Sequence, residues 1–405
     1  MSATTDTLAI HGGQPIRQQK MPPRLAFDQT EIDQVMAAME YYREKDQDPP
    51  YQGHFEERFC EAFTDFMGGG YADAVSTGTA ACYVALAALE LPPKSEVIIS
   101  PVTDSGPLNC IIAQGLIPVV ADSAPDSYNM GVEQFLDRVT PRTTGLFAVH
   151  CAGEPLDTDR LVEEAHKRGI KVLEDCSQAP GAVWAGQKVG AFGDIAAFST
   201  MYRKSLATGG SGGLVYSKDL QTYRKALGHA DRGKQAWRDD LNQNDPGNAL
   251  FPALNFNTNE LSCAIGLGSI GRLQDTIRKR LALVSSVVRW MESESDACRP
   301  YSFHDGFSPF FFPIFVDSEK LGCSKVDFAD ALAAEGIELN RHYGCVISGW
   351  DWAKPYLSDD FISTNALSTK NRSFNLHLNE RYGEEEAQDI IAAILKVEKH
   401  FTQSG

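Results

Sequence analysis

KVLEDCSQAPGA, residues 171–182, and AFSTMYRKSLATGGSGG, residues 197–213, carry the signal that decides the fold. The first reads as a buried strand that ends on an acid and an amide, Asp175 and Gln178. The second reads as a strand running into a loop that bears Lys204 and a cluster of glycines. In open α/β sheets, ligand-contacting groups gather at the carboxyl ends of strands. An acid at one strand end and a lysine just beyond another can therefore converge on one crevice.

Working outward, apolar runs at 72–76, 96–100, 118–121 and 145–150 precede the first stretch. They alternate with helical patterns at 80–89, 132–139 and 158–167. This βαβα rhythm predicts an α/β fold with a largely parallel sheet covered on both faces. Two strands, at 195–200 and 213–216, follow without a long helix between them. An amphipathic helix over 29–42, with Ile32, Val35, Met36 and Met39 at helical spacing, lies upstream. Downstream, 259–291 reads as one long helix, with Leu261, Ile265, Leu273, Ile277 and Leu281 among its apolar positions. A strand at 310–315 and helices at 325–335 and 384–400 predict a smaller α+β unit. The expected division is 1–255 for an arm and a large cofactor domain, and 256–405 for a bridging helix and a small domain.

Composition narrows the function classes. The 405 residues are 43% hydrophobic and 22% charged, as in a globular chain. No apolar run approaches the roughly 20 residues that cross a bilayer. Residues 1–14 lack the basic start and apolar core of a signal peptide, so the expected location is cytoplasmic. A formal net charge of −17 argues against nucleic acid and anionic membrane as partners. Nine cysteines are scattered singly without metal-ligand spacing, so no metal is expected.

Lys204 and Asp175 suit pyridoxal 5'-phosphate (PLP). The pyridine nitrogen must stay protonated for the ring to act as an electron sink, and a carboxylate favours that form. A lysine holds the cofactor as a Schiff base and then serves as a proton carrier. Gln178 is placed to donate to the ring oxygen. In AVSTGTAACYVAL, residues 74–86, a turn of Thr77, Gly78 and Thr79 opens a helix and offers free N–H groups to a phosphate. Ser199 supplies another hydroxyl, and Asn255 a further amide. A nicotinamide site built on GGSGG fails on context, because these glycines precede a strand and do not open a helix after one.

The chain closely resembles the PLP-dependent sugar aminotransferases of the StrS/DegT type, a fold type I family. The likeness runs from IHGGQP (10–15) through FEERFCEAF (55–63), STGTAA, DSYNMGVEQF (126–135), TPRTTGLFAVH (140–150) and KVGAFGDIAAFST (188–200) to NFNTNELSCAIGL (255–267). It fades after about Arg299, although GIELNRHYG (336–344) is similar to the family's substrate-side segment. The resemblance implies that Lys204 is the Schiff-base lysine, Asp175 the partner of the pyridine nitrogen and Gln178 the residue beside the ring hydroxyl. It makes Gly78, Thr79 and Ser199 phosphate ligands, and Asn255 a ligand to the phosphate of a neighbouring subunit. It also implies a homodimer with two sites at the interface.

Four positions depart from the family pattern. Asp104 stands where an aromatic residue usually stacks on the cofactor ring, and Ser211 replaces an acid in the glycine cluster. Asn257 replaces an arginine, and NLHLNERYG (375–383) replaces a proline-rich segment. His342 and Tyr343 are the candidate substrate residues. His229 and Arg232 fall where the family has a mobile loop, and Trp184 lies between the aspartate and lysine strands. The expected activity is transfer of an amino group from glutamate or glutamine to a keto or aldehyde group of a sugar, nucleotide sugar or aminocyclitol precursor. The rivals are a PLP-binding regulator without turnover and a sugar dehydratase. In the related dehydratases histidine replaces the lysine, which Lys204 argues against.

Overall fold

The computed structural model describes residues 7–404. Nine strands fall in the first two thirds: β1 (Tyr71–Val75), β2 (Glu96–Ile99), β3 (Ile117–Val120), β4 (Thr143–Val149), β5 (Lys171–Asp175), β6 (Val183–Trp184), β7 (Gln187–Lys188), β8 (Ile195–Ser199) and β9 (Gly213–Ser217). Seven of them form one sheet in the order β1-β9-β8-β5-β4-β2-β3. Strands β3, β2, β4, β5 and β8 are parallel, while β9 runs antiparallel to both β8 and β1. The missing helix between 200 and 213 explains the reversal, because a short loop can return a strand only in the opposite direction.

Helices α1 (Gln29–Lys45), α2 (His54–Met67), α3 (Gly78–Ala88), α4 (Ser105–Ala113), α5 (Val132–Leu136), α6 (Thr158–His166) and α7 (Leu220–Ala230) accompany the sheet. Successive strand residues feed opposite faces. Val97, Ile99, Phe147 and Leu173 pack with α3 and α4 on one side, and Ile98, Leu146 and Val172 pack beneath α5 and α6 on the other. Both faces are thus buried, and the strands read as continuous apolar runs without alternation.

The helical pattern at 259–291 is two helices, α8 (Glu260–Gly271) and α9 (Leu273–Glu294). The break follows Gly271, at Arg272 (φ −105°, ψ 0°). Arg272 turns its side chain to Glu31 on α1 at 2.6 Å, so the kink trades helix continuity for an anchor between α8 and α1.

Beyond α9, strands β10 (Cys298–Pro300), β11 (Phe311–Val316), β12 (Leu339–Asn340) and β13 (Ser373–His377) form a second sheet, ordered β10-β11-β13-β12. Helices α10 (Ser318–Leu321), α11 (Lys325–Ala334), α12 (Thr364–Arg372) and α13 (Glu384–Ser404) pack around it. The N-terminal arm joins this second core: Leu8 and Met21 are buried in it. Glu335 accepts from the N–H groups of Ala9 (2.9 Å) and Ile16 (3.0 Å), and Arg17 pairs with Glu386 and Asp389. No helix among the described residues is long and apolar enough to cross a membrane.

Candidate active site

The parallel strands bring their carboxyl ends to one edge, where the crevice collects the turns that follow β1, β2, β4, β5 and β8. Thr77 caps α3, its hydroxyl accepting from Ala80 N–H at 2.8 Å. The N–H groups of Gly78 and Thr79 have no partner among the described residues, as expected for the first turn of a helix. Gly78 lies against Ser199 at the end of β8, and a Cβ there would stand 2.5 Å from that of Ser199. Gly213, the last of the glycine cluster, leaves room for the Thr77 carbonyl, which an added Cβ would meet at 2.4 Å. The two glycines thus let the α3 N-terminus descend beside Ser199, giving two free N–H groups, two hydroxyls and the positive end of a helix dipole. That set of donors fits a phosphate.

Asp175 ends β5 and is 4% exposed. Its carboxylate accepts from Ser177 N–H at 2.9 Å and from the Ser177 side chain. Burial pushes its proton affinity up, and the Ser177 hydrogen bonds and then the nearby charge of Lys204 hold it partly back. Burial likewise lowers Lys204, with Asp175 and then Asp104 acting in the opposite sense. Gln178 accepts from Ala152 N–H at 2.8 Å through its amide oxygen, which turns its NH₂ toward the Tyr343 hydroxyl and leaves one N–H to donate elsewhere. Ala152 adopts the left-handed conformation (φ 63°), a strained state for a non-glycine residue that recurs at functional sites.

Behind Asp175 lies a buried network. His150 Nδ1 accepts from Leu156 N–H (3.1 Å), so the proton sits on Nε2 and faces Glu174 at 3.1 Å. Glu174 also accepts from the N–H groups of Gly190, Phe192 and Gly193. Against the upward push of burial, these donors hold Glu174 below the usual carboxylate range. Cys176 completes a trio with metal-ligand reach, but His150 and Glu174 are already committed to hydrogen bonds. The trio is a brace, with His150 N–H donating to Asp175 O at 3.0 Å.

Three residues absent from the sequence reading surround Lys204. Phe310 presents its ring 4.5 Å from Lys204 Nζ and is held by its N–H to Ala152 O at 3.0 Å. Arg280, 2% exposed on α9, donates to Ser205 Oγ (2.9 Å) and Pro309 O (3.3 Å) and pairs with Glu380 at 2.9 Å. Arg24, from the arm, donates to Lys204 O at 3.0 Å and to Tyr202 O. Phe310 opens a run of three phenylalanines that reads simply as core strand. An arginine in an amphipathic helix reads as solvated, so neither residue announces itself.

Of the candidates for substrate contact, Tyr343 enters the crevice. Its ring packs on Tyr128 and Phe311, and its hydroxyl reaches Gln178 and lies 3.7 Å from Cys151 Sγ. His342 is exposed beside it. Asn255 lies on the surface, its amide oxygen accepting from Asn257 and its amide nitrogen without a partner among the described residues. His229 stacks on Phe251, Arg232 pairs with Asp231, and Trp184 donates to Asp159. None of these three joins Lys204.

A model of the DegT/DnrJ/EryC1/StrS aminotransferase family matches residues 33–395. The spore coat polysaccharide biosynthesis protein SpsC of Bacillus subtilis is 29% identical over 348 residues, covering 85% of this chain and 89% of its own. The GDP-perosamine synthase of Escherichia coli O157:H7 is 29% identical over 261 residues, 62% of this chain and 68% of that one. Among solved structures, an aminotransferase from Psychrobacter cryohalolentis superposes with a TM-score of 0.84 at 24% identity, covering 92% of this chain and 97% of that one.

Proposed function

The chain belongs to the DegT/DnrJ/EryC1/StrS aminotransferase family, whose fold and PLP cofactor it shares, and from that premise we propose how its residues divide the work. It transfers an amino group to a keto or aldehyde group of a sugar, nucleotide sugar or aminocyclitol precursor, with glutamate or glutamine as donor. The observation that carries the assignment is the convergence of buried Lys204 and Asp175 at one sheet edge, beside a helix N-terminus with unused donors.

Bound PLP supplies an electron sink that acidifies the C–H bond beside the transferred nitrogen. Lys204 holds the cofactor and, once released, carries the proton from the donor's α-carbon; burial lowers its basicity toward the range where it can both take and give. Asp175 keeps a proton on the ring nitrogen through its buried carboxylate. Gln178, its amide orientation set by Ala152, donates to the ring oxygen. Gly78, Thr79 and Ser199 hold the phosphate.

Asn255 completes the site of a second subunit in a homodimer. Ile32, Met36 and Met39 form an exposed stripe along α1, each about half exposed, and Leu254 and Leu261 add apolar surface. A stripe of this kind needs a covering partner. Nine unpaired cysteines accord with a reducing, cytoplasmic location.

The test is an absorbance spectrum of the protein loaded with PLP, recorded before and after L-glutamate or L-glutamine. Loss of the visible band with either donor is expected. A band that no donor bleaches would favour a regulator, and no band at all would remove Lys204 from its role. Sedimentation at micromolar concentration should give a dimer; a monomer with full activity at dilution would remove Asn255 from the site.

A further inference from the structure

The turn between β2 and α4 carries a carboxylate that no step above uses. Asp104 caps α4, one oxygen accepting from Gly106 N–H at 3.0 Å, and its side chain is otherwise open to the crevice. Both flanks of the turn are pinned. On one side Gly106 packs against the phosphate turn so closely that an added Cβ would lie 2.7 Å from Thr79 Oγ1. On the other, Thr103 N–H donates to Cys345 O at 2.9 Å, and Val102 pairs with Val346 in an antiparallel bridge. That bridge lays the segment just beyond His342 and Tyr343 along the turn. Asp104 therefore stands between the phosphate cradle and the substrate-side segment, within electrostatic reach of Lys204.

The charges around it do not balance. Lys204 faces two carboxylates, Asp104 and Asp175. When the acceptor enters, the cofactor carries the amino group and Lys204 is free, with its charge disfavoured by burial; Asp175 is committed to the ring nitrogen, and the phosphate adds negative charge. Arg24 and Arg280 spend their guanidinium groups on Tyr202, Lys204, Ser205, Pro309 and Glu380. Arg341 is taken by Asp330, and Lys370, which acts on Cys345 as Asp104 and Lys204 do, is a further cation nearby. Asp104 itself has no ion-pair partner among the described residues. A carboxylate so placed attracts an ammonium group and repels a phosphate or carboxylate, which decides between partners more than it sets bulk affinity.

We propose that Asp104 determines acceptor specificity by pairing with an ammonium group that the acceptor already carries, so that the enzyme aminates a ketone of an amino sugar or aminocyclitol in preference to a neutral or diphosphate-linked one. The inference rests on the aminotransferase reading and narrows its acceptor. A neutral polyol leaves Asp104 without a partner, and a diphosphate-linked sugar brings like charge into a crevice already rich in it.

Calorimetry on the enzyme loaded with pyridoxamine 5'-phosphate, the form that meets the acceptor and cannot condense with an amine, tests this at pH 7 with three product-like probes: a 1,3-diaminocyclitol, its di-N-acetylated form and myo-inositol. The diaminocyclitol should bind about tenfold or more tighter than the other two, the scale of one partly desolvated charge pair. Asp104→Asn keeps the helix cap, since asparagine serves equally there, and should bring the three affinities to within about threefold of one another. Equal binding by wild type, or a preference that survives in Asp104→Asn, overturns the proposal. The wild-type comparison decides even if the variant does not fold. Bleaching of the visible band by glutamate or glutamine in wild type reads the aminotransferase assignment separately: bleaching without the amine preference sinks only the role of Asp104.

Discussion

Asp175 and Asp73 are both buried carboxyls on strands of the same sheet, each 4% exposed, yet their surroundings differ in kind. Asp175 ends a parallel strand facing a lysine, and its carboxylate accepts from Ser177. Asp73 sits mid-strand on β1 opposite Val215, near Glu56 and Asp231, and its side chain has no hydrogen-bond donor among the described residues. Burial raises Asp73 and Glu56 alike, and each is raised further by a neighbouring acid. A buried acid beside a cation is equipped for chemistry. A buried acid beside other acids burdens the fold as it ionises.

The contrast can be broken by substitution at each centre. Lys204→Ala should lower transamination by at least about 10³-fold, since both the covalent anchor and the proton carrier are lost, while the circular dichroism spectrum stays that of wild type. Asp175→Asn should cost about 10²–10³-fold in donor half-reaction rate, the scale of removing one electrostatic stabiliser from a closed site. Stopped-flow decay of the visible band measures it; a loss below tenfold would equate Asp175 with an ordinary strand-end acid.

Arg280→Met tests the brace behind the lysine. It strands Glu380, 4% exposed in its side chain, as an unpaired charge, and breaking a buried pair costs about 3–5 kcal/mol. Urea denaturation should show that loss, and replacing Glu380 by leucine in the same protein should recover much of it. The smallest effect is expected at Asp73. A carboxyl whose folded-state proton affinity is raised contributes stability that is complete below its unfolded pKa and lost as pH rises through the folded value. Wild-type melting temperature should therefore fall from mildly acidic to alkaline pH, and Asp73→Asn should flatten the slope by about 1 kcal/mol or more over the range. An unchanged slope would remove Asp73 from the account.

Much of the fold was legible in the sequence because parallel strands buried on both faces leave apolar runs of a recognisable length. The absence of a helix between 200 and 213 likewise marked the reversed strand. The cofactor pocket was legible because its residues sit at strand ends and a helix cap, where local sequence and geometry coincide. The bend at Arg272 was not, since apolar periodicity continues across it and the cause is a distant partner, Glu31. Phe310, Arg280 and Arg24 were hidden for the same reason. Their roles depend on which loop they meet, 106, 75 or 180 positions away, and no local pattern records that.

Arg24 also bears on how the protein should be handled. The match to the family model begins at residue 33, and a gene trimmed to that boundary would encode every strand of the main sheet. It would nonetheless omit the guanidinium that clasps the carbonyls of Tyr202 and Lys204, together with Leu8, Arg17 and Met21, which seat the arm on the second core. Such a shortened protein is expected to express and still hold its lysine on a loosened leash. Affinity tags and cleavage sites therefore belong ahead of residue 7, outside the clasp.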